Sequence, residues 1–314
     1  MKFHISNSKL PVVGASAVGG RRFRFPLSAF RFCRAFSLIE IMVVVGLLSL
    51  IVVALMAVFS STQRAFRSGV TQTDVLEGGR AAMDLMAADL HGMTPSGGVS
   101  NGVVNFAALA NYHAYYPLGQ QLPGSAISRT NLLNYFFVLS RQHTKWTGVG
   151  YVVDNTNGST LYPLYRFYAE TNLAAGPLSL FLNFSNAVSA SQWTNMSHLI
   201  DGVVHLKLHA YDTAGVWVNN ATSLYTNASN TRFFSAVYGE PRIYMFSNTV
   251  PATVELEVGV LEDRALARAE SLPNNAPAVP PNDRRTLFLQ SQAGAVHIFR
   301  TRVTVPNVDR TAYK

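Results

Sequence analysis

From Ile41 to Phe59 the chain reads IMVVVGLLSLIVVALMAVF, nineteen residues without one ionisable group. A helix of that length rises about 28 Å, close to the hydrocarbon thickness of a bilayer. The run is too long for a signal-peptide core and lacks the charged face of a soluble helix. It predicts a membrane span over about 41–59. Everything after Phe59 must then fold on one side of that membrane.

Charge sets the expected orientation. The 314 residues carry a formal net charge of +8, which by itself invites a nucleic-acid reading. Location removes that reading. Lys2, Lys9, Arg21, Arg22, Arg24, Arg31 and Arg34 all lie in residues 1–35, with no acid among them. Seven of the 25 Lys and Arg sit there, so 18 remain to face all 17 Asp and Glu in the rest of the chain. No nucleic-acid partner is expected. A basic arm just before an apolar span predicts a cytoplasmic N-terminus and a C-terminal head outside the cytoplasmic membrane. The one cysteine, Cys33, lies in the arm, so the exported part is expected to stand on its core without disulfides. Phe30-Arg31-Phe32 before it are bulky and charged where a lipidation site needs small, apolar residues.

Glu40 stands at the mouth of the span. An ionised carboxylate in a membrane helix costs roughly 2.5–3.5 kcal/mol at the centre and less near the interface. Taken alone, it reads equally well as an interfacial carboxylate facing headgroups. Its neighbours give a second reading. Arg34-Ala35 precede Phe36-Ser37-Leu38-Ile39-Glu40, and the span follows at once. This resembles the signal of type IV pilins and type II secretion pseudopilins: a basic leader, a small residue, then Phe, with Glu as the fifth mature residue. Ala35 stands where that family usually has Gly, and a 35-residue leader is long for the class. The resemblance implies cleavage between Ala35 and Phe36 by a prepilin peptidase, N-methylation of Phe36 by the same enzyme, and Glu40 as an assembly residue. In a filament, the new amine of one subunit would meet Glu40 of its neighbour, since a buried charge is tolerated when paired.

Past the span, Leu76, Met83, Met86 and Leu90 recur at helical steps and predict an amphipathic continuation, with Asp74, Glu77, Arg80, Asp84 and Asp89 on its other faces. Arg64 and Arg67 mark the outer interface. Gly78-Gly79 is read as a soft point and Thr94–Gly98 as the stop. The expected organisation is a cleaved leader over 1–35, a long helix over 36–92 and a β-rich head over 93–314. The fold class is α+β, a pilin-like fold whose long N-terminal helix packs on an antiparallel head. Strands are expected over 135–139, 150–153, 161–168, 203–211, 252–261 and 296–305, with turns at Asn157-Gly158 and at 212–215. Over 203–211, Val203, His205, Lys207 and His209 are assigned one face, Val204, Leu206, Leu208 and Ala210 the other. Residues 264–271 read as a short helix and 272–282, LPNNAPAVPPN, as a surface loop.

A narrower resemblance follows. Arg80-Ala81-Ala82 through Ala88-Asp89-Leu90, then GYVVD…LYPLYRFY, LIDGVVHLKLHAYDTAGVW and VPATVELEV, are similar in order and spacing to blocks of the minor pseudopilin J family. The tail FRTRVTVPNV and the Asn/Thr-rich stretch 183–231 have no counterpart in it. Membership would imply other minor and major pseudopilins or pilins as partners, and extrusion driven by a membrane ATPase and platform protein outside this chain. Gly46, Ser49 and Ala54 put small residues along the span where helices can approach closely.

Candidate chemistry is sparse. His205 and His209 lie about 13–14 Å apart along a strand, too far to share a metal, so a solvated polar face is expected. Asp154–Ser159 has the start of a calcium loop but no acid at its far end. Glu262-Asp263 beside Arg264 reads as a strand end or helix cap. HExxH and a phosphate loop with its Lys are both missing from the sequence. The expectation is no catalytic residue, no metal ligand and no cofactor. Trp146, Trp193 and Trp217 are read as core and strand-pair residues before a sugar platform. The alternatives kept open are a minor type IV pilin or surface-binding module whose head recognises a ligand, and an exported enzyme held by an ordinary signal anchor.

Overall fold

The computed structural model describes residues 37–97, 102–110, 118–154, 161–219, 230–237, 240–273 and 284–313. It is α+β, with an apolar N-terminal helix and an antiparallel, β-rich domain. Contacts divide the chain into two compact units, met at Ser61/Thr62. The leader, with Ala35 and Phe36, lies outside the described residues, as do Asn157-Gly158 and most of the 272–282 loop.

Helix α1 runs unbroken from Leu38 to His91. In the first unit every residue of it is exposed. Leu38–Phe66, 29 residues, is long and apolar enough to cross a membrane. At 1.5 Å per residue it measures about 43 Å, more than the hydrocarbon layer alone.

In the second unit α1 changes character. Val75, Gly79, Ala82, Met83, Met86 and Leu90 are buried, followed by Met93 just past its end. These positions recur at three- and four-residue steps, one stripe of a 3.6-residue period. Leu76, expected in that stripe, is instead 38 % exposed, and Val75 takes its place. The Gly78-Gly79 pair is not a soft point either. A Cβ on Gly79 would lie 2.3 Å from the Phe299 ring, so glycine is what lets that ring rest on the helix backbone.

The strands build three antiparallel sheets. β1 (Val104–Ala110), β4 (Asn134–Gln142), β5 (Lys145–Val153), β6 (Leu164–Asn172), β7 (Ser197–Ile200), β9 (Thr231–Val237) and β10 (Glu240–Phe246) form a seven-stranded sheet in the order β7-β6-β5-β4-β1-β10-β9. β8 (Val203–Tyr211), β11 (Thr253–Leu261) and β12 (Val296–Thr304) form a second sheet with β11 in the middle. β2 (Leu118–Gln121) pairs with β3 (Ser128–Asn131). β4 and β5 are longer than the sequence pattern suggested because both their faces are covered, which erases the alternation.

One core joins the rear stripe of α1 to both larger sheets, through Phe106, Phe136, Tyr151 and Leu164 on one and Leu206, Leu208, Leu256 and Val258 on the other. A second core lies on the opposite face of the seven-stranded sheet, under α2 (Leu178–Ser189). Here Phe184 sits where a Cβ on Gly150 would be, at 2.3 Å. α3 (Asp263–Glu270) and α4 (Arg284–Gln290) close a small third cluster.

β8 departs from simple alternation. Its register with β11 shifts between Gly259↔His205 and Val260↔Val203. This bulge turns Val203 towards Leu206 and Leu208, while Val204 joins the third cluster with Leu261 and Ala265. The two-face assignment therefore holds from His205 onward and fails before it.

Candidate functional site

The start of α1 is built by Ser37. The Glu40 N–H donates to the Ser37 carbonyl at 3.0 Å and to Ser37 Oγ at 3.3 Å, and the Ile41 N–H donates to the same carbonyl at 3.2 Å. Ser37 thus caps the helix, satisfying a donor that the first turn leaves open. Ser37-Leu38-Ile39-Glu40 fits the S-x-x-E capping pattern, a signal that was present in the sequence and passed over. Glu40 is exposed in the first turn, where a negative charge also suits the helix dipole. The hydrogen bonds found at Glu40 among the described residues run through its backbone N–H, leaving its carboxylate outward.

A second carboxylate on the same helix behaves in the opposite way. Asp89 accepts a forked pair from Arg166 of β6, Nε to Oδ2 at 2.9 Å and Nη2 to Oδ1 at 3.0 Å. The Tyr151 hydroxyl of β5 donates to Asp89 Oδ2, and Arg166 Nε also reaches that hydroxyl at 3.2 Å. The side chains of Arg166 and Asp89 are 19 % and 16 % exposed. Burial, and then the Asp89 carboxylate, push the Tyr151 hydroxyl well above its usual range, so it remains a donor. The cluster pins the rear of α1 to the seven-stranded sheet, a structural role for a residue expected on a polar face. Nearby, Asn307 Nδ2 donates to the Met93 carbonyl at 2.9 Å.

His205 also corrects its expected place. Instead of a solvated face it is buried, its Nδ1 accepting the Leu132 N–H at 3.1 Å and its Nε2 lying 3.5 Å from Glu257 Oε2. Burial outweighs the Glu257 carboxylate and lowers its pKa to about 4, with Arg129 and Lys207 acting in the same direction as burial. It is a neutral hydrogen-bonding residue at ordinary pH. His209 packs at 4.7 Å against Trp217. No group of three His, Cys, Asp or Glu among the described residues is arranged to hold a metal. Of the stretch Asp154–Ser159 only Asp154 is described, and it is buried.

The remaining expectations fall into place locally. Asp212 Oδ1 accepts the N–H groups of Ala214 (2.9 Å) and Val216 (2.7 Å), fixing the turn after β8. Glu262 precedes α3 and pairs with His297 at 3.0 Å. Trp146 is buried, and Trp193 stacks on Tyr165 at 5.4 Å.

No family model matches this chain, and neither does any curated protein or solved structure. Its function is therefore argued from its own residues.

Proposed function

We propose that the chain is a structural subunit, minor pseudopilin-like, of a filament of the type II secretion or type IV pilus class, with a pilin-like fold. After removal of residues 1–35 by a prepilin peptidase, Phe36 would carry a methylated amine. The apolar front of α1 would hold the subunit in the cytoplasmic membrane with its head outside, until Glu40 meets the amine of a neighbouring subunit. The observation that carries this reading is the start of α1. A serine-capped helix opens with an outward carboxylate and continues through an apolar stretch whose side chains are all exposed. Such a helix needs both a greasy environment and a cation for its one early charge.

Two further features support it. α1 continues without a break into the residues that organise the head's core, so force on the membrane segment would reach the head through one helix. The Asp89–Arg166–Tyr151 cluster would then anchor that helix in the head.

The test is mass spectrometry of the mature N-terminus from native membranes. A chain starting at methylated Phe36 is the expected result. Retention of residues 1–35 with the peptidase present overturns it.

A second reading, a minor type IV pilin whose head recognises a ligand, draws on one observation. Phe234 is 47 % exposed on the sheet face opposite α1, against Tyr244 at 5.0 Å and Arg242 at 5.9 Å. Co-purification with other minor pseudopilins counts against it.

A further inference from the structure

The outer side of α2 breaks the rule for a surface helix. Leu180 and Phe184 are buried as they should be, yet Leu178 and Leu182, one turn apart, are 59 % and 58 % exposed. The first turns of α2 read LSLFL, without a charge, and its polar residues Ser179, Asn183 and Asn186 gather on one side, with Leu178 and Leu182 exposed beside them. A surface helix ordinarily turns its polar side outward and its apolar side to the core. The patch continues onto the sheet. Phe181 lies edge-on to Tyr244 at 5.6 Å, and Tyr244 contacts Phe234. Its border is cationic: Arg232 lies opposite Tyr244 in the β9–β10 register and over the Phe246 ring at 5.2 Å, with Arg242 beside Phe234.

The matching surface is on the far side of the same unit. α2 and the rear half of α1 pack on opposite faces of the seven-stranded sheet. The outward side of α1 shows Ala81, Leu85 and Ala88 at steps of four and three residues, all exposed, with Leu85 at 36 %. Asp74, Glu77 and Asp84 flank this stripe, against Arg80 alone. One face is bulky, apolar and rimmed with arginine. The other is a shallow stripe of small apolar residues rimmed with acid.

We infer that the α2 face of one copy docks the outward side of α1, around Leu85, of a second copy of this chain. Leu178 and Leu182 lie on the Ala81–Leu85–Ala88 stripe, and Arg232 and Arg242 meet Glu77 and Asp84. The two patches differ and sit on opposite faces, so the contact is head-to-tail. It leaves one of each patch open at the ends and extends into a row instead of closing into a dimer. This goes beyond the filament reading, because it concerns contacts between the β-rich units of successive copies and needs neither leader cleavage nor Glu40.

The test uses the full chain in detergent micelles, with Cys33→Ser to remove the one native thiol. Copies carrying Leu182→Cys are mixed with copies carrying Leu85→Cys and oxidised. The expected product is a disulfide-linked pair from the mixture, little from either variant alone, and a ladder of higher species from the double variant. Both positions are exposed, so the substitutions leave the core intact. Adding Arg232→Glu and Arg242→Glu to the Leu182→Cys copy lowers the mixed yield at least about tenfold, because like charges then face each other. Glu77→Lys and Asp84→Lys in its partner restore the yield. A mixture that links no better than the single variants overturns the contact, and so does linkage indifferent to the charge changes. Retention on a polysaccharide matrix without cross-linking overturns it as well, and passes this face to the ligand-binding reading. A ladder from chains that keep residues 1–35 when the peptidase is present would keep the contact while the filament reading falls.

Discussion

The front and rear of α1 are one helix made under two sets of rules. Over Leu38–Ser61 every side chain is exposed and nearly all are apolar, and the one acid, Glu40, points outward. From Val75 to Leu90 the helix is striped, and its acid on the sheet side, Asp89, is gripped by Arg166 and Tyr151. The pairing of a carboxylate reveals what its stretch of helix is for. A carboxylate satisfied inside the chain fastens an element to its own domain. Under the proposed reading, one left outward in apolar surroundings takes its partner from another subunit.

The sharpest way to break this contrast is Asp89→Ala. It leaves a largely buried guanidinium and a buried hydroxyl without their acceptor, so urea unfolding of the head should show a loss of about 3–5 kcal/mol. A loss under about 1 kcal/mol would put Asp89 in the same class as the solvated acids of α1.

The next effect comes from acid. With a folded-state pKa of about 4, His205 resists a proton that the unfolded chain accepts near 6.5. The unfolded state then binds more protons between those values. His205's contribution is whole above pH 6.5 and is lost as pH falls towards 4, on the order of 3 kcal/mol in total. A His205→Gln head should unfold with a flatter pH dependence in that window. Equal slopes would return His205 to the solvated face that its strand position suggested.

The smallest effect on stability is expected at Glu40. Glu40→Gln should change head unfolding by less than about 0.5 kcal/mol, because Glu40 is exposed. Incorporation beside partner subunits should nonetheless fall, measured by co-purification from membranes. Normal incorporation would dissolve the contrast between the two carboxylates.

Much of the fold was legible before the structure. The length of α1, the six main strands and the turn at Asp212 follow from composition and period, which are local properties. What escaped depends on distant neighbours. Val75 replaces Leu76 because the stripe is set by where two sheets meet the helix, and a one-residue offset leaves the helical period intact. Gly78-Gly79 suggested weakness because glycine propensity was weighed without Phe299, a residue far along the chain. His205 looked solvated because its strand face was read without the segment at Leu132, distant in the chain, that hydrogen-bonds to it and covers it. At the site, Glu40 stood out as a lone charge, whereas the Ser37 cap was readable from four consecutive residues and went unread. Asp89's partners belong to β5 and β6, and no spacing rule on α1 announces them.

The seat of Phe299 on Gly79 also fixes an order of events in the making of the protein. The helix residue leaves the ribosome well before β12, the strand that closes over it. Until β12 follows, the rear of α1 lacks that cover, and the nascent chain carries a sticky helix face meanwhile. A chain stopped before Val296 would never finish that seat.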